Sequence, residues 1–184
     1  VVAGSAKATL TNNNISENES HGLLAVENGR FSMAGDRVAE NSFRGVAVVD
    51  RANAEIQNAT IEDNPLLSGL VFLNSSTGSV AGSMILRNGE SGIWVGGTAI
   101  VMISGNTINE NKPDTQGRNG HGIVVAEMAQ PTISGNTIQF NRVCGVGVVD
   151  AGVQISGTGN NIFGNNPNLC GNANQFPLGF GGGR

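Results

Sequence analysis

Chemically useful side chains are scarce in this 184-residue chain, of which 13% is charged and only two residues are His, so those that gather together stand out. The densest group is Asp114, Arg118 and His121, in and just after the stretch Lys112-Pro113-Asp114-Thr115-Gln116-Gly117-Arg118-Asn119. A His can take a proton as general base, and a guanidinium beside it can stabilise the oxyanion that results. Removing the C5 proton of a sugar acid, as a uronate lyase or epimerase does, requires those two roles. Asp114, Arg118 and His121 are therefore the candidate catalytic residues.

A second set comes from a recurring phase. Six short apolar runs each open on Gly: Gly22, Gly45, Gly69, Gly92, Gly122 and Gly145. Five places after these stand Glu27, Asp50, Asn74, Gly97, Glu127 and Asp150. If each Gly marks the same corner of a coil, Glu27/Asp50 and Glu127/Asp150 are carboxylate pairs about 5 Å apart on neighbouring coils. Carboxylates that close repel unless they share a cation or a proton. Each pair is a candidate ligand-binding or Ca²⁺ site, or else two turn residues that diverge into solvent. Trp94, the sole Trp in a chain without Tyr, is the candidate ring for stacking on a sugar. One place before the same Gly come His21, Arg44, Ser68, Ser91, His121 and Cys144.

The coil is implied by a repeat. Ile103-Ser104-Gly105-Asn106-Thr107-Ile108 returns as Ile133-Ser134-Gly135-Asn136-Thr137-Ile138. An aliphatic residue followed three places later by Asn occurs at Ile15/Asn18, Val38/Asn41, Ile61/Asn64, Ile85/Asn88, Ile108/Asn111, Ile138/Asn141 and Ile162/Asn165. A step of 23 or 24 residues, lengthened once by the stretch 112–119, is too short for two helices and fits three short strands with three turns. Gly, Asn and Thr interrupt any helical period. The expected fold is all-β, a single-stranded parallel β-helix of about seven coils of 23–24 residues, with Asn18 through Asn165 stacked as a ladder in one turn. Coils cover about residues 8–171 of a single domain, 1–184, with a cap or tail at 172–184. The start at Val1 suggests a processed chain or a piece of a longer protein.

Alternation points Leu23, Val46, Leu70, Ile93, Ile123 and Val146 inward and Leu24, Ala47, Val71, Trp94, Val124 and Gly147 outward. An outward column so apolar calls for cover, by another protein chain or a missing domain. With net charge −4 and no basic run, neither nucleic acid nor an anionic membrane is an expected partner, and no apolar run is long enough to insert into a membrane. Cys144 and Cys170 each precede a Gly, and if those are equivalent corners of successive coils, their Cα atoms come within disulfide range.

The pattern of Asn-x-Ile-x-x-Asn followed by Gly-Ile-x-Val resembles the right-handed parallel β-helix repeat proteins of the pectate-lyase-like and NosD-like class, over about residues 8–171. That resemblance implies the right hand and a polysaccharide setting outside the cytoplasm: extracellular, on the cell surface or periplasmic. It spans inert and catalytic members. One reading is a scaffold or interaction module that contacts polysaccharide; the alternative is a lyase, hydrolase or epimerase acting on an acidic glycan. The Ca²⁺-dependent lyases of the class carry stacked acids that Glu27, Asp50, Glu127 and Asp150 could match. The Asp-Pro-His-Asp segment of alginate epimerases is absent; Asn119-Gly120-His121-Gly122 shares only its His.

Overall fold

The computed structural model describes residues 1–117 and 119–181. They wind into a right-handed parallel β-helix of about seven coils, each strand pairing with its counterpart one coil on. The first sheet contains Lys7–Thr11, Arg30–Ala34, Asn53–Gln57, Thr77–Ala81, Ile100–Ser104 and Thr132–Ser134. The second runs from Asn14–Ser16 through Arg37–Ala39, Thr60–Glu62, Met84–Leu86, Thr107–Asn109 and Thr137–Gln139 to Asn161–Phe163. The third holds Leu23–Ala25, Val46–Val48, Leu70–Phe72, Ser91–Val95, His121–Val125, Val146–Val148 and Leu169–Cys170.

Strands this short bury one or two side chains each, so the core is a set of columns. Ile61, Ile85, Ile108 and Ile138 line up in the second sheet, and Ile56, Val80, Ile103 and Ile133 in the first, all fully buried. Column members compensate for one another in size. Phe72 lies inside, and the neighbouring strand presents Gly78, where a Cβ would come 2.7 Å from the Phe72 ring.

The turn between the second and third sheets carries the expected ladder. Asn41, Asn64, Asn88, Asn111 and Asn141 are buried, and each accepts through Oδ1 from both the backbone N–H and the amide of the Asn one coil earlier. The glycine after each rung is needed for space. A Cβ on Gly92 would lie 2.7 Å from Asn111 Nδ2 and 2.8 Å from the Gly122 carbonyl.

A second ladder, which the sequence pattern did not reveal, occupies the turn between the first and second sheets. Asp36 Oδ1 accepts from Asn13, Ser83 Oγ from Ala59, Asn106 from Ser83, Asn136 from Asn106 and Asn160 from Asn136. Asn160 passes its own amide proton to the Phe180 carbonyl. Phe180 is buried in the core cluster at this end of the stack, which its side chain helps to close. The seventh coil has no first-sheet strand; a single bridge at Ser156 stands in its place.

Candidate functional site

The third sheet is where chemical groups converge, and the reason is a diagonal packing relation. At three of the corners, the residue before the Gly lies toward the outward position of the following coil. Arg44 borders Val71, the His121 ring lies against Gly147, and Cys144 is bonded to Cys170 with Cα atoms 5.8 Å apart. Cys170 pairs in register with Gly147, not with the Cys144 position, so the bridge is diagonal and the corner equivalence expected from Gly145 and Gly171 does not hold. Much of the apolar outward column is closed from within the chain: Ala47, Val71 and Val124 are 1%, 1% and 2% exposed. Leu24 and Trp94 stay partly open.

Beside Trp94 lies a recess of about 230 Å³ lined by Arg44, Val71, Leu73, Glu90 and Trp94. Arg44 is half-buried, and its Nε has no hydrogen-bond partner among the described residues. Burial lowers its pKa and the charge of Glu90 opposes that shift; a guanidinium keeps its proton regardless. Glu90 Oε2 accepts from Ser68 Oγ at 2.9 Å, and the Ser68 and Ser91 hydroxyls are 2.8 Å apart. One coil before Arg44, His21 sits edge-on to Phe43 with its Nδ1 buried and unpartnered. Burial and then the Arg44 charge hold its pKa below the ordinary 6.5. Both effects favour the neutral imidazole.

Gly120 and His121 return to the stack beside this recess, where the Glu90 carbonyl accepts from their N–H groups. Asp114 is nearly buried and accepts from Gln116 N at 2.9 Å, closing the loop's own turn. Arg118 lies outside the described residues. His121 Nδ1 accepts from Cys144 N at 3.4 Å, and burial lowers its pKa. His121 stands three coils from Arg44, roughly 14 Å at the spacing of parallel strands. His21 and His121 are four coils apart, so they serve different points of one long face.

The acidic line runs along the opposite edge of the third sheet. Glu27, Asp50, Asn74 and Glu127 have φ between 58° and 61°, a left-handed turn position. Asp50 accepts from the Glu27 N–H at 3.1 Å and from the Asn74 amide at 3.1 Å. Asp150 accepts from the Glu127 N–H at 2.7 Å, and Glu127 from Gly97 N. Asp50, Glu127 and Asp150 thus reach back to a backbone N–H of the preceding coil, as the Asn rungs do elsewhere. Among the described residues no group of three or more His, Cys, Asp and Glu comes together to hold a metal ion.

The sequence marked the line from His21 to Cys144 but not the Arg44 recess, because the diagonal relation that builds it joins residues of different phase. The family described as "Right handed beta helix region" matches residues 1–167. No curated protein sequence matches the chain. Crystal structures of the periplasmic alginate epimerase AlgG share the fold. One single-site mutant has a TM-score of 0.77 at 18% identity, covering 95% of this chain and 44% of that one. A second mutant gives 0.69 at 19% identity, covering 95% and 44%. AlgG itself gives 0.64 at 19% identity, covering 90% and 41%. This chain spans less than half the length of each.

Proposed function

The chain belongs to the family of right-handed β-helix regions, and from that premise we propose that it acts on an acidic polysaccharide laid along the outer face of the third sheet. The observation that carries this reading is Arg44: a half-buried guanidinium with an unpartnered Nε, facing an open recess beside Trp94. A buried guanidinium N–H left without an acceptor is costly unless a ligand completes it, and the planar guanidinium suits a carboxylate. A uronate carboxylate bound there would sit within one coil of His21, the group best placed to take the C5 proton. Arg44 would hold the enolate charge that follows. Trp94 offers one wall for a sugar ring. His121 lies farther along the same face and fits binding of neighbouring sugar units. Likeness to AlgG, a periplasmic alginate epimerase, supports the substrate class. The Cys144–Cys170 bond supports a periplasmic or extracellular setting, since disulfides persist in oxidising compartments.

Incubation with polyuronates in D₂O tests the proposal. Deuterium entering at C5, or formation of an unsaturated sugar, is the expected result, lost in Arg44→Ala and His21→Ala. Binding without either product would leave a polysaccharide-binding scaffold. The absence of both binding and turnover for every polyuronate would sink the proposal.

A further inference from the structure

We propose that the outer face of the first sheet, at its N-terminal end, is a second sugar-acid site, separate from the Arg44 recess. Lys7 and Arg30 are direct partners in the parallel register, so two cations stand side by side on adjacent strands. Like charges so placed oppose sheet formation. In the second sheet and the turn after it, by contrast, Arg37 pairs with Glu40 and Glu62, and Arg87 with Glu62 and Asp63. Among the described residues, neither Lys7 nor Arg30 has an ion-pair or side-chain hydrogen-bond partner. The chain is acidic overall, so an unpaired cationic couple is not a by-product of composition.

The two cations border a recess of about 270 Å³ that also exposes Thr9, Ser32, Asn53 and Glu55. Thr9 and Ser32 are register partners whose hydroxyls are 3.5 Å apart. Asn53 donates to Thr77 Oγ1, which leaves its carbonyl oxygen as an acceptor. Glu55 pairs in register with Ser32, diagonal to Arg30, and forms no ion pair with it. The recess thus offers cations and hydroxyl donors on one side and two acceptors, Glu55 and Asn53 Oδ1, on the other. A bare inorganic anion would be repelled by Glu55. A sugar acid brings a carboxylate for Lys7 and Arg30 and ring hydroxyls that donate to Glu55 and Asn53. This face and the third sheet lie on different sides of the helix, so one polymer segment can be anchored while another occupies the Arg44 recess.

An NMR titration of the ¹⁵N-labelled chain with an oligouronate, and in parallel with sodium sulfate, tests the site. The oligouronate is expected to shift amides at 7–9, 30–32 and 53–55, and the Lys7→Gln/Arg30→Gln double variant to weaken that response about tenfold. These side chains are exposed and unpaired, and their removal relieves like-charge repulsion, so the variant's melting should match or slightly exceed the parent's. Arg44→Gln should leave the same shifts intact, which separates failure of this site from failure of the Arg44 reading. No shift at these amides, an unchanged affinity in the double variant, or sulfate binding as tightly as the oligouronate would each overturn the proposal.

Discussion

A side-chain amide such as Asn88 ties three coils together. Its Oδ1 accepts from the backbone and the amide of Asn64, while its Nδ2 donates to the Ile61 carbonyl and to Asn111. All of these groups are out of contact with water, so Asn88→Ala orphans several of them, at about 1–3 kcal/mol for each group left unpaired. Asn18, at the exposed start of the ladder, accepts from no earlier rung. Denaturant unfolding should therefore show Asn88→Ala losing about 3 kcal/mol or more, and Asn18→Ala less than about 1 kcal/mol. A second residue-scale expectation concerns protons. Burial holds the folded-state pKa values of His21 and His121 below 6.5, so the unfolded chain binds more protons in that range. Stability is then complete above about 6.5 and declines as pH falls through the depressed folded values. His21→Gln/His121→Gln should flatten the slope of stability between about pH 7 and 5, read from melting curves; an unchanged slope would refute the burial argument.

At the scale of turns and strands, two kinds of glycine make different demands. Gly92 is crowded by Asn111, Ile108 and the Gly122 carbonyl, whereas Gly105 has open space around its Cβ direction but a φ of +64°. Gly92→Ala should thus cost about 1–3 kcal/mol through overpacking, and Gly105→Ala about 1 kcal/mol through backbone conformation. Equal losses in thermal unfolding would show that one cause serves both. The corner glycines were legible in the sequence because they keep one residue type in one phase, as do the Ile-x-x-Asn rungs. The second ladder was not, because Asp36, Ser83 and Asn106 do the same work with different side chains. The Glu27/Asp50 and Glu127/Asp150 pairs were placed on adjacent coils correctly, yet a register cannot say that the carboxylates would turn back onto N–H groups. Nor can it foresee Arg44 bordering Val71, since that relation joins positions of different phase on successive coils.

For the molecule as a whole, each coil is stabilised chiefly by the coils on either side, so the ends of the stack are its weak points. The C-terminal end is held in two ways. Phe180 joins the core cluster that includes Ile162, its ring beside Phe176, while Asn160 donates to its carbonyl, and Cys144–Cys170 ties the last third-sheet strand to the coil before it. That strand spans only Leu169–Cys170, and the seventh coil lacks a first-sheet strand, so backbone pairing there is sparse. Closing a loop of sequence separation 26 removes about 3–4 kcal/mol of unfolded-state entropy in the chain-entropy model. That benefit falls on the last coil, because coils farther along the stack share no contact with the bridge. Hydrogen exchange on the reduced and alkylated chain should therefore show faster exchange over about residues 149–181, with the amides of Ile56, Ile85 and Ile108 still protected. Uniform loss of protection along the chain would mean that the stack unfolds as one unit, and no change at the C-terminal coil would mean that the Phe180 cap alone is sufficient to hold it.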